Sequence, residues 1–236
     1  MKRFYTLVSI SDTESGHVVC LDGKPIKTPM RHTLAAPTKA LALAIQKEWA
    51  AQGEMILPQS MPVTQITSTC LDRIAQRDGE AKDEIKRYFE SDLLYFRTNH
   101  PPELIQRQNA VWNPWTEWAQ DKFGTLPKTT TSLTVPAMPP ATMESFAAFL
   151  DQLEPLRLTV MALMTATTGS AILAAALLTR AISADQVFDA VFCEELFYVD
   201  LYDIAHNGPD PAQEKKQNAV IADVKACIDF LAALDD

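Results

Sequence analysis

Glycine is scarce in this chain, with seven among 236 residues. Neither G-x-G-x-x-G nor G-x-x-x-x-G-K-[ST] occurs, so the usual Gly-rich cradles for nucleotide phosphates are missing. The four histidines, His17, His32, His100 and His206, never fall three or four residues apart, which removes a helical metal pair. Gly169-Ser170 lacks the flanks of a nucleophile elbow. Cys20, Cys70, Cys193 and Cys227 form no C-x-x-C pair and read as buried free thiols, Cys193 among them as a core residue of an apolar helix. Positive charge is in deficit: 21 Lys and Arg against 30 Asp and Glu give a net charge of -9, without the basic face that nucleic acid requires. No metal, no cofactor and no catalytic residue is expected.

Apolar residues make up 47% and charged residues 22%, the composition of a globular chain with a real core. The stretch 158–179 carries no charge and is long enough to span a bilayer. It also holds Thr159, Thr165, Thr167 and Thr168, breaks at Gly169-Ser170, and is closed by Arg157 and Arg180. Two short helices buried all round explain it better than membrane insertion. Met1 runs directly into Lys2, Arg3, Phe4 and Tyr5, which begin a strand pattern. A bacterial cytoplasm is the expected location, or the mitochondrial matrix for a processed chain.

Alternation of Phe4, Thr6, Val8 and Ile10 predicts a first strand, 11–16 a turn, and 17–21 a second strand. Asp22-Gly23 is a tight-turn signal, and the antiparallel meander should end near 36. Pro37 then opens a helix with Leu41, Ile45 and Trp49 inward. Pro62 opens a Thr-rich helix with Val63, Ile66, Cys70 and Ile74 inward. Helices from about 80 and 102 follow, and Asn113-Pro114 reads as a restart carrying Trp115, Trp118 and Phe123. Residues 125–140 are Thr- and Pro-rich, a linker or a strand at 129–135 that returns to the first sheet. Ser183-x-x-Gln186 has capping-box form, and Asp210-Pro211 starts a last helix with Ile221, Val224, Ile228 and Leu231 inward. The fold class is α+β: a small N-terminal antiparallel β-containing domain, 1–58, and a larger C-terminal α-helical bundle, 59–236.

Carboxylates offer the most interesting chemistry. Glu195 falls at helical spacing between Phe192 and Val199 on an apolar stripe, with Glu194 beside it. A carboxylate there needs a cation or several donors. An internal ion pair with Arg73, Arg87 or Arg97 would satisfy it, and so would a role in binding a partner. Trp112, Trp115 and Trp118 cannot all face one side of a helix, so most belong to packing. Trp49 is expected to pack its helix against the neighbouring part.

Leu21-Asp22-Gly23-Lys24-Pro25-Ile26-Lys27-Thr28-Pro29 resembles the "LDGR-x-LKTP" opening of the ATP synthase assembly chaperone family. The match continues in order through Pro37-Thr38, Glu48-Trp49-Ala50-Ala51-Gln52, Ile56-Leu57-Pro58, Met61-Pro62-Val63-Thr64 and Leu71-Asp72-Arg73. Tyr88, Asp92-Leu93-Leu94-Tyr95-Phe96-Arg97, Gln108, Trp112-Asn113-Pro114, Gly169-Ser170 and Glu194-Glu195 complete it. Where the family has "[DE]E-x-x-Q-x-x-x-WG", Tyr198 replaces Gln and Tyr202-Asp203 replaces Trp-Gly.

The resemblance implies a two-domain α+β fold, no catalysis and no cofactor. It implies a chaperone, expected to be monomeric, that binds the ATP synthase alpha subunit and prevents its aggregation before the hexamer assembles. Glu194, Glu195, Tyr198 and Tyr202 are the implied partner-binding residues. Trp49, Asp72, Arg73, Asp92, Arg97 and Trp112 are the implied structural motif. Two readings compete: an acidic-site hydrolase or lyase using Glu195 with Asp92 or Asp200, and a helical adaptor for another protein.

Overall fold

The computed structural model describes residues 1–14, 16–201 and 211–236, without the side chain of Asp200. Four strands, β1 (Val8–Thr13), β2 (Gly16–Leu21), β3 (Lys24–Pro25) and β4 (Ala35–Ala36), form one antiparallel sheet in which β2 pairs with the other three. Helices follow: α1 (Lys39–Ala50), α2 (Pro62–Thr69), α3 (Asp78–Glu90), α4 (Pro102–Phe123) and α5 (Pro140–Asp151). Then come α6 (Pro155–Thr168), α7 (Ala171–Leu178), α8 (Ala184–Val191), α9 (Cys193–Leu201) and α10 (Pro211–Asp235). The α+β class is as the sequence indicates. Asp210 and His206 lie outside the described residues, as does Tyr202-Asp203.

By compactness the chain forms two units: Met1–Asp78 with Glu154–Val160 and Ala226–Asp236, and Gly79–Leu153 with Met161–Lys225. Where the sequence reading divides the chain once, at 58, the first unit runs on to Asp78 and takes back two later pieces. Hydrogen bonds explain both. Thr38 caps α1 by accepting from Leu41 N and donates its own hydroxyl to Ala233 O at 2.7 Å, while Arg157 pairs with Asp235.

In this first unit the strand begins later than alternation suggests. Phe4 and Leu7 are exposed, Tyr5 is buried, and β1 starts at Val8. The residues before it run beside 54–56, with Ile56 N donating to Met1 O at 2.7 Å. The strand also outlasts its predicted end, to a close Thr13–Gly16 pairing. Gly16 sits at φ +110, and a Cβ there would stand 2.5 Å from Ala36 O, so the position admits only glycine. Asp22 and Gly23 both have positive φ, as a tight hairpin turn demands. Asp22 also accepts from the Leu7 and Thr6 amides, which hold its carboxyl below the usual carboxylate range.

Leu41, Ile45 and Trp49 line the buried face of α1, as spaced, and the Trp49 ring lies 5.8 Å from that of Tyr5. The threonines of α2 do not prevent a helix, and the two buried ones, Thr64 and Thr67, each find a bond. Thr67 donates to Val63 O, and Thr64 joins the Glu48 carboxylate. Glu48 reaches from α1 to accept from Val63 N at 2.7 Å and Thr64 N at 2.8 Å, capping a helix start that carries no side-chain cap of its own. A π-helical turn, Cys70–Ile74, continues α2 and carries Asp72.

In the second unit, Asn113-Pro114 is not a break, and α4 runs through it. Proline removes one amide and frees the carbonyl four residues back. Pro114 and Ala110 are both exposed, so water can satisfy that carbonyl, while Trp112, Trp115, Ala119 and Phe123 keep both halves buried. Phe89 and Phe146 stack with centroids 3.9 Å apart, and Phe123 meets both edge-on. The uncharged stretch is two helices parted at Gly169, as expected, but only α7 is buried all round: α6 leaves Ala166 exposed and Ala162, Leu163 and Thr167 half-buried. Among the described residues, no helix is long and apolar enough to cross a membrane. Residues 129–135 do not return to the sheet: Thr130 pairs with Phe96, its amide donating to Tyr95 O at 2.8 Å. On α10, Val224 and Leu231 are buried as predicted, whereas Ile221 and Ile228 are 46% and 37% exposed, which narrows its inward stripe.

Replacing Glu48 with Ala orphans two amides and a hydroxyl at once. A loss of about 1–3 kcal/mol is expected in urea unfolding, and an unchanged midpoint would show that solvent caps α2 equally well.

Candidate functional site

Glu194 and Glu195 open α9, within reach of α4 and of the first turns of α10. The stripe that places Glu195 between Phe192 and Val199 assumes one continuous helix. Phe192 instead ends α8 with φ -105 and ψ 22, and α9 restarts at Cys193 with a new phase. Phe192 and Cys193 turn inward, Glu194 becomes exposed and Glu195 half-buried. The cation facing Glu195 is Lys216 of α10, with Nζ 3.6 Å from Oε1, and not one of the three arginines the sequence suggests.

Glu194 is exposed yet held from beneath. Gln108, 1% exposed on the inner face of α4, donates from Nε2 to Glu194 Oε1 at 2.6 Å. Its Oε1 accepts from Thr98 N at 2.9 Å, and its backbone carbonyl accepts from Arg97 Nη1 at 3.1 Å. The Arg97 guanidinium lies over the Trp112 ring, 5.1 Å from its centroid, and its Nε donates to Leu94 O. Trp112 in turn donates from Nε1 to Ala190 O at 2.8 Å, at the end of α8. Arg97, Gln108, Trp112 and Glu194 are thus one polar bracket joining 94–98, α4, α8 and α9. Burial pushes the Cys193 thiol up to about 11 despite Arg107 beside it, so it stays protonated and unreactive at neutral pH.

Tyr198 is 40% exposed one turn on from Glu194, with its ring edge-on to Phe197, and Leu201 is 58% exposed at the end of α9. The partner-binding candidates therefore combine a fixed acid, a second acid with a resident cation, and exposed apolar and aromatic surface. Tyr202 lies outside the described residues.

Asp92 is elsewhere in the second unit and has another task. Fully buried, it accepts from Leu94 N at 3.1 Å, Ser170 Oγ at 2.7 Å and Ile172 N at 3.0 Å. It seals the start of α7 as a charge on a helix N-terminus. Both oxygens are committed and out of solvent, so Asp92 cannot partner Glu195 in acid–base chemistry on a substrate. The Asp200 side chain lies outside the described residues. Asp72, in the first unit, accepts from Thr28 Oγ1 at 2.5 Å, Met30 N at 3.1 Å and His32 Nδ1 at 2.9 Å, and Arg73 beside it is exposed. Burial would raise the Asp72 carboxyl, but these donors bring it below its ordinary value. Among the described residues, no three His, Cys, Asp or Glu side chains converge as metal ligands.

Gln108 stands on an otherwise apolar stripe with Leu104, Trp112 and Ala119. A polar residue in that place is a sequence signal for a bracket. Lys216 carries no such signal, since only the packing of α10 brings it to Glu195.

Comparison with known proteins gives a consistent picture. A family model described as ATP12 chaperone protein matches residues 2–120. The crystal structure of Atp12 from Paracoccus denitrificans superposes with a TM-score of 0.89 at 27% identity, covering 99% of this chain and 98% of that one. A candidate chaperone from Agrobacterium tumefaciens gives 0.90 at 31% identity, covering 99% and 86%.

Burial pushes the Asp92 carboxyl up to about 6, against the hydrogen bonds from Ile172, Leu94 and Ser170 that pull it down. A folded-state value above the unfolded one adds stability that is complete at low pH and is lost as pH rises through the folded value. The Tm advantage of the native chain over Asp92→Asn should therefore narrow between about pH 4 and pH 6 and level off above that. A constant gap across that window would place the Asp92 titration elsewhere.

Proposed function

The chain belongs to the ATP12 chaperone protein family, the ATP synthase assembly chaperones, and on that premise we propose that its client is the ATP synthase alpha subunit, held through the α9 surface. It is a chaperone and not an enzyme, and its partner in assembly is a protein. A subunit awaiting assembly exposes an apolar interface that aggregates unless covered. A monomeric chaperone in the cytoplasm, or in the mitochondrial matrix for a processed chain, would cover that interface and yield it to the next subunit.

The observation that carries this reading is the Gln108 bracket. An exposed carboxylate on a mobile side chain loses rotamer entropy when it binds. Glu194 is already oriented by a buried donor, so more of its interaction energy remains for the client. Tyr198 and Leu201 beside it supply apolar area of the kind that anchors interfaces. Glu195 adds a second charge whose approach is shared with Lys216. Trp49, Asp72, Arg73, Asp92, Arg97 and Trp112 act in this account as the frame and not as contacts.

Glu195→Lys should leave the circular dichroism spectrum and Tm near those of the native chain, whereas Glu194→Lys also gives up the bond from buried Gln108 and should lower Tm while keeping the helical spectrum. Each should weaken alpha-subunit binding by at least about tenfold, because a like charge at a recognition site repels the group it should attract. Light scattering of unassembled alpha subunit with each variant reads the effect, and full protection by both would remove the acids from the contact surface. Affinity purification from native cells tests the client itself: recovery of other proteins without the alpha subunit would sink that assignment.

A further inference from the structure

Lys216 is the feature of this surface that the family resemblance does not contain. Its ammonium sits between two groups of the α8–α9 junction: Glu195 Oε1 at 3.6 Å and the Phe192 ring, with the centroid at 5.5 Å. Phe192 is fully buried, and the ammonium stands over its ring. The charge is less well served. At 3.6 Å the ammonium is beyond the 2.7–2.9 Å of a charge-assisted hydrogen bond. Lys216 is 65% exposed at its side chain and Glu195 39%. An ion pair this open to water contributes little.

We propose that Lys216 is a resident cation that occupies Glu195 in the free chaperone and is displaced by a guanidinium of the client. Lysine offers a point charge on a flexible stem, whereas arginine offers a planar fork of donors that matches a carboxylate at two points. An incoming arginine therefore makes a better contact at Glu195 than the one it breaks. The resident pair lowers the affinity of the empty site for weakly basic surfaces, since any competitor must first exceed Lys216. This inference rests on the α9 surface being the client-binding surface, and its test separates the two.

The first arm uses the full chain and L-argininamide, following the lysine side-chain amine and methylene signals by NMR. Added argininamide should shift the Lys216 signals toward those of a free lysine, and the shift should vanish in Glu195→Gln. Lys216 signals that stay unmoved in the native chain overturn the proposal whatever the client is. The second arm compares alpha-subunit affinity for the native chain, Lys216→Met, Glu195→Gln and the double variant. Methionine keeps an unbranched side chain of similar length and removes the charge. Lys216→Met should bind up to about fivefold tighter, and the gain should disappear when Glu195 is Gln. Equal or weaker binding by Lys216→Met overturns the displacement. If the native chain does not bind the alpha subunit at all, the proposed client falls, and the argininamide arm decides the role of Lys216.

Discussion

The second unit depends on how one carboxylate, that of Asp92, is satisfied without water. Every residue of α7 is buried, and a buried helix start leaves amides that nothing in an apolar core can accept. Asp92, with Ser170, supplies those acceptors: one oxygen for Ile172 N, the other for Leu94 N and the Ser170 hydroxyl. Leu93 N then donates to Gly169 O, so the segment after α3 and the junction of α6 with α7 are tied from both sides. The cost of burying a charge is offset only in part by these donors and by the positive end of the helix, which is why the carboxyl sits above its ordinary value.

The same device recurs. Glu48 caps α2 from α1, Asp72 ties the turn at Thr28 and His32 to the π-helical turn, and Gln108 joins α4 to Glu194. In each, one piece of the family pattern bonds to another far along the chain. Glu48 meets Val63 and Thr64, Thr28 meets Asp72, Asp92 meets Ser170, and Gln108 meets Glu194. The ordered series that makes the resemblance specific is thus a set of paired halves. Its spacing reflects where the backbone crosses itself. Only the last pair ends at an exposed residue, which is how a packing device becomes a recognition element: the bracket that stabilises α4 against α9 also aims a charge outward.

How much was legible follows from which interactions are local. The Asp22-Gly23 turn, the inner face of α1, the break at Gly169 and the Ser183–Gln186 capping box all depend on residues within one turn of each other, and each stands in the structure as read. Asn113-Pro114 has a strong local signal for a helix start, yet burial of Trp112, Trp115 and Phe123 carries α4 through it. Periodicity places Glu195 on a buried stripe because the turn at Phe192 leaves no mark in composition. One residue of altered phase rotates the next helix by about 100°, enough to exchange inside for outside. Lys216 could not be foreseen at all.

By itself the sequence determined the fold class, the family and the absence of a phosphate cradle, because periodicity, turn chemistry and ordered motifs are written in neighbouring residues. It also named the acids, Glu194 and Glu195. Only the tertiary structure decided what each acid meets: Glu194 a buried amide, Glu195 a lysine from α10, Asp92 the start of a buried helix. The reason is physical. A carboxylate's role is set by the donors and the solvent within a few ångströms of it, and in this chain those donors come from segments as many as 86 residues away.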